Sequence, residues 1–202
     1  MTALATPPTS DRPERRFSVD EYLRMVAAGI LTDHDKVELI EGRIVEKMPR
    51  NPLHEATLQR VFSLLMKLCP PEWMVRVQST IRCARSAPEP DVMLLRGPVD
   101  RYDQAHPAAA DALLVVEIAD SSLRDDRHAK VALYGGAGIP VYWIVNLVDR
   151  RVEVYTDPTG PDHFPTYRAR RDFGESDAVP LQFPEGAKVE LPVKELLSAK
   201  KR

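Results

Sequence analysis

The chain has 202 residues, 44% of them hydrophobic, and a formal net charge of −2. That length supports one substantial core, so one domain is expected, and the charge counts against a protein that coats nucleic acid through general electrostatic attraction. The longest apolar runs, Ala112 to Val116 and Val141 to Val145, fall far short of the roughly 20 residues that span a bilayer, so a soluble protein without a membrane partner is expected.

In chain order, Met1 to Glu14 lacks the basic-then-apolar pattern of a secretory signal and carries Pro7, Pro8 and Pro13. The reading is a disordered tail over residues 1–16 and a single domain over 17–198. Ser18 followed by Glu21, with Val19, Tyr22, Leu23 and Val26 at helical spacing, predicts a capped helix from Phe17 to Ala28. Lys36 to Met48 alternates around Glu41-Gly42 and predicts a hairpin. Leu53, Ala56, Val61, Leu64, Leu65 and Leu68 form a helical stripe stopped by Pro70-Pro71. Three strands follow, over Met74 to Cys83, Val92 to Leu95 and Leu113 to Ile118.

Asp120 to Ser122 offers cap side chains for a helix from Leu123 to Tyr134, with Gly135-Gly136 as its left-handed stop. Val141 to Leu147 reads as a strand covered on both faces, so Tyr142 and Trp143 should enter opposite layers. Arg151 to Thr156 should pair with it through Asp149-Arg150. Beyond Asp157 only short strand-like pieces, Val179 to Phe183 and Lys188 to Leu191, and a small helix from Val193 to Leu197 are legible. The Arg168, Arg170, Arg171 run reads as a solvated loop face. Cys69 and Cys83 lack zinc-type spacing, and a reduced cytoplasmic setting is expected.

Two acids stand out. Asp91, in Glu89-Pro90-Asp91, opens one strand, and Glu117 interrupts the apolar run of a following strand. A buried acid is costly unless compensated, and two neighbouring acids most readily share a bound cation. A lone strand Glu is more often exposed or salt-bridged; the pairing with Asp91 shifts the balance. Mg²⁺ takes one or two carboxylates with water and phosphate. Lys130 lies on the following helix, where Asp126, Lys130 and Tyr134 share one face, although Asp126 and Lys130 alone would suit a solvated pair.

Glu89-Pro90-Asp91 and Val116-Glu117-Ile118 resemble the Pro-Asp … (Asp/Glu)-X-Lys signature of restriction-endonuclease-like nucleases. With Val37-Glu38-Leu39-Ile40-Glu41-Gly42, Pro52-Leu53-His54, Lys130 with Tyr134, and Ala137 to Val145, the chain from Phe17 to Leu197 resembles the Uma-type restriction endonuclease family. The resemblance implies an α/β restriction-endonuclease-like core of helix, three strands, helix and strand, extended by an N-terminal helix and hairpin and by C-terminal β additions.

It also implies a Mg²⁺-dependent (or Mn²⁺-dependent) endonuclease acting on DNA. Asp91 and Glu117 would be metal ligands, the Ile118 carbonyl a further one, and Lys130 the charge stabiliser, with Glu38 and His54 bordering the site. Ala119 stands where the signature's lysine belongs, so Lys130 would substitute from the helix. For Glu38 an exposed hairpin face, and for His54 a helix-start hydrogen bond, are equal alternatives. Cutting both strands needs two centres, which makes a homodimer the expected assembly. The competing reading keeps the fold as a non-catalytic binding or assembly module; a sugar hydrolase using Glu38 and Glu117 would need an open groove that nothing in the sequence supports.

Overall fold

The structure, a computed structural model, describes residues 14–198. Residues 1–13, most of the expected tail, lie outside the described residues. Residues 14–16 run beside the first hairpin, where Arg16 donates to the Glu41 carbonyl at 2.7 Å and Glu14 pairs with Arg43 at 2.6 Å.

Helix α1 (Val19–Ala27) begins on the capping box that Ser18 and Glu21 encode, and it buries Val19 and Tyr22. Val26, on the expected apolar stripe, is 44% exposed. Strands β1 (Val37–Ile40) and β2 (Arg43–Glu46) pair antiparallel. Their two-residue turn puts Glu41 and Gly42 at φ +48° and +77°, the left-handed pair that a tight hairpin requires. Helix α2 (Pro52–Leu68) starts at Asn51, whose side chain accepts from the His54 amide.

The central sheet has six strands in sequence order: β3 (Trp73–Val77), β4 (Val92–Arg96), β5 (Ala112–Ala119), β6 (Val141–Asn146), β7 (Arg151–Pro158) and β8 (Tyr167–Gly174). Every pairing is antiparallel except β5 with β6, which are joined by a helical crossover and run parallel. β5 is buried at all eight positions, as a strand covered on both faces must be.

One face packs Leu94, Val116 and Trp143 against Val61 and Leu65 of α2, and against the C-terminal strands β9 (Ala178–Gln182) and β10 (Lys188–Pro192) with α5 (Val193–Leu196). The other packs Met93, Val115 and Tyr142 against the crossover helix. Tyr142 and Trp143 therefore enter opposite layers, as their alternation requires. Among the described residues no helix is long and apolar enough to cross a membrane.

Four local expectations are corrected. The strand expected to reach Cys83 ends at Val77, because Gln78 turns into the left-handed region (φ +45°) and residues 78–90 swing across to the hairpin, where the Ala87 amide donates to Leu39. Residues 168–171 form part of strand β8 rather than a loop; Arg170 reaches back to Glu153 at 3.1 Å.

The Ser122 side chain does not cap the crossover helix; its backbone already has helical angles, and its hydroxyl donates to Asp126 at 2.7 Å. It runs as α3 (Leu123–Asp125), a π-helical turn (Asp126–Lys130) and α4 (Val131–Gly136). Its stop is Gly138, at φ +73°; Gly135 and Gly136 are still helical. They are small for a different reason. A Cβ on Gly135 would lie 2.5 Å from the Thr166 carbonyl oxygen, and one on Gly136 would meet Pro165 at 2.9 Å.

Candidate active site

In the antiparallel β4–β5 pair Val92 stands opposite Val116, so Asp91 and Glu117 are the next cross-strand neighbours and share a face. Both are buried. Asp91 Oδ2 accepts from the Ile118 amide at 2.9 Å and lies 3.0 Å from His54 Nε2. Nδ1 of the same ring is buried with no partner among the described residues.

Glu117 Oε1 accepts a 2.6 Å bond from the Tyr134 hydroxyl and stands 3.4 Å from Lys130 Nζ. The ammonium group also donates to Glu38 Oε1 at 3.2 Å, while Glu38 Oε2 accepts from the Glu89 amide at 3.1 Å. Thus the hairpin, the start of α2, β4, β5 and the π turn each deliver one of the five side chains named from the sequence, and all five line a single cavity of about 400 Å³ together with Ile118.

Both open alternatives resolve. Glu38 is buried rather than on an exposed hairpin face. His54 makes the helix-start hydrogen bond with its backbone, but its ring turns to Asp91. Lys130 forms no ion pair with Asp126, and faces Glu38 and Glu117 instead.

Successive helical residues point about 100° apart, so one helix serves two places. Asp126 is buried and lines the cavity, while the next residue, Arg127, points away and binds the wholly buried Glu153 through two nitrogens. Glu153 also receives Asn146, Tyr155 and Arg170, a saturation that a carboxylate in an apolar interior requires.

The charges in the cavity are unbalanced: eight acidic side chains line it against three basic ones. Burial, the largest effect, pushes the Glu117 carboxyl up; Lys130 pulls it down, and Asp91 and Asp126 push it up again. Asp126 is raised for the same reason, burial first. Lys130 moves up despite its burial, since Glu117 and Glu38 hold it charged. An excess of buried anions is the condition a bound cation relieves.

The donor set fits a hard divalent cation. Asp91 Oδ1 and Glu117 Oε2 have no hydrogen-bond partner among the described residues and belong to side chains that line the cavity. No three His, Cys, Asp or Glu side chains among the described residues form a ready cage. What the cavity offers is two free carboxylate oxygens, an incomplete set of the kind Mg²⁺ completes with water and phosphate.

Several supports were not named from the sequence. Asn51 caps α2 and also donates to Asp120 at 2.7 Å, tying the helix start to the end of β5. Tyr142 donates to the Asp126 carbonyl, and Lys47 pairs with Glu89 at 2.6 Å. Asn before Pro at a helix start was a readable cap signal; the others join distant segments and leave no local trace.

The family model Uma2, described as "Putative restriction endonuclease", matches residues 19–194. Among solved structures, one described as a putative nuclease belonging to DUF820 from Anabaena variabilis ATCC 29413 aligns at a TM-score of 0.64 and 17% identity, over 89% of this chain and 97% of that one. No curated protein matches the chain.

Proposed function

The chain belongs to the Uma2 family, and from that premise we propose that it is a Mg²⁺- or Mn²⁺-dependent nuclease that hydrolyses phosphodiester bonds of DNA. The observation that carries the reading is the meeting of Asp91, Glu117 and Lys130 in one acidic cavity, reached from two adjacent strands and a helix.

Asp91 and Glu117 would hold the cation, with the Ile118 carbonyl as a further ligand. A bound divalent cation supplies positive charge to the phosphate and polarises the attacking water. His54 and the Ile118 amide fix Asp91, and Tyr134 fixes Glu117, so the free oxygens of both acids are aimed before anything binds. Lys130, held at the cavity by Glu38, donates to a phosphate oxygen and stabilises the charge that builds there. Its place on the helix compensates for Ala119 in the strand. Each turnover consumes one water and leaves a phosphate monoester and a hydroxyl. A homodimer, one centre per strand, completes the proposal.

The test is incubation of purified protein with Mg²⁺ or Mn²⁺ and plasmid or linear DNA. Cutting is expected, and Asp91→Asn and Lys130→Met should each reduce it by about 10²-fold or more. The Asp91→Asn protein should melt no lower than the parent, because a crowded anion has gone. Wild-type protein that binds Mg²⁺ calorimetrically yet cuts no nucleic acid would overturn the reading in favour of a non-catalytic binding or assembly module.

A further inference from the structure

A second chamber of about 740 Å³ opens beside the first, and the two share Lys47, Met48, Pro49, Arg50 and Glu89 in their walls. Its size falls in the roughly 300–1,000 Å³ range of small-ligand pockets. The inner wall is the apolar side of α1, from Tyr22, Leu23 and Val26, continued by Leu31. Val26 and Met48, both among the large apolar side chains left exposed, look into it. Thr32, Gln78 and Thr80 add donors and acceptors.

Its charge is balanced where that of the first cavity is not. Lys47 and Glu89 neutralise each other, and Asp33 and Glu55 match Lys36 and Arg50 in number. A track for several phosphates would be strongly basic. A near-neutral, half-apolar chamber instead suits a flat heterocycle with polar edges, which stacks or packs on apolar side chains.

Arg50 stands on the divide. Of the three cations lining the first cavity, Lys47 is paired with Glu89 and Lys130 with Glu38, whereas Arg50 has neither an ion pair nor a hydrogen bond among the described residues. Its guanidinium fork is free for a phosphate.

We infer that the second chamber is a nucleotide subsite, receiving the base next to the scissile bond against Tyr22, Leu23, Val26 and Met48 while Arg50 holds the phosphate between the chambers. This rests on the nuclease reading and specifies its substrate. A base seated there has left its stack, so a frayed, single-stranded or flapped end is preferred over continuous duplex.

The test compares a short single-stranded oligonucleotide with bis(p-nitrophenyl) phosphate, a diester too small to fill both chambers. Val26→Glu, at an exposed helix position, and Met48→Glu, in the exposed linker before α2, each put a charge on the chamber wall. Each should reduce kcat/KM on the oligonucleotide about tenfold more than on the small diester, through KM, and Arg50→Ala should act in the same direction. Equal losses on both substrates, or no loss on either, would overturn the subsite while leaving the nuclease reading intact. A wild type inactive on both substrates would overturn the nuclease reading itself, and the subsite with it.

Discussion

Glu117 must be an anion to hold a cation, in a place almost closed to water and already crowded by Asp91 and Asp126. Its carboxyl is raised from 4.5 to about 8 by burial first, with Lys130 pulling the other way. Between those two values the folded protein holds a proton that the unfolded chain has released. Stability therefore falls as pH rises through that window, by at most about 1.4 kcal/mol per pH unit for one group. Urea midpoints measured from pH 5 to 8.5 should show the decline, Glu117→Gln should flatten it, and Lys130→Met should extend it to higher pH. The same proton competes with the cation, so Mg²⁺ should bind more tightly at pH 8 than at pH 6, by up to about tenfold per unit for each proton displaced. An affinity independent of pH would mean that Glu117 is not a ligand.

At the scale of elements, the crossover helix is the part on which everything else is hung. Its π turn carries Asp126, Arg127 and Lys130, its last turn lies on residues 165–166, and its C-terminus is released at Gly138. The glycines divide this labour in a testable way. Gly135→Ala forces a Cβ to within 2.5 Å of the Thr166 carbonyl, a backbone atom that cannot step aside, and should cost about 2–3 kcal/mol in urea unfolding. Gly138→Ala meets nothing within 4 Å and strains only its left-handed φ, so about 1 kcal/mol is expected. Equal costs would show that the close packing at residue 135 is relaxed in solution. The dipeptide Gly135-Gly136 reads from sequence as a helix stop because conformational freedom and small size are the same letter there; only the neighbour at Thr166 tells them apart.

For the whole molecule, what the sequence announces and what it conceals follow from how far each interaction reaches. The capped α1, the Glu41-Gly42 hairpin, α2 and strands β4 to β7 are legible because periodicity and turn chemistry are local. Strand β8 is not, since Arg168, Arg170, Arg171 and Asp172 on the sheet edge hide its alternation, and their partners Asp157, Arg151 and Glu153 sit on β7. In the site, Asp91 and Glu117 show as acids in apolar surroundings, and Lys130 as a helix neighbour. The bridges Asn51–Asp120 and Tyr134–Glu117 span 69 and 17 residues and could be found only in three dimensions. A cation that joins this whole set should stabilise the whole fold: Mg²⁺ at a hundredfold excess over its Kd adds about 2.7 kcal/mol. Differential scanning calorimetry should show a rise in Tm on adding Mg²⁺ that EDTA reverses and that Asp91→Asn lacks.

Within the sheet, β5 is hydrogen-bonded to an antiparallel neighbour that precedes it and to a parallel one that follows it, with Glu117 in register with Ile144. A chain emerging from a ribosome can lay β5 on β4 at once, but β6 arrives only after the helix between them has been made and folded over. Until residue 146 is free, the strand that carries Glu117 lacks its parallel neighbour. On the proposed function, the centre would be complete, and the chain able to cut, only after that late pairing.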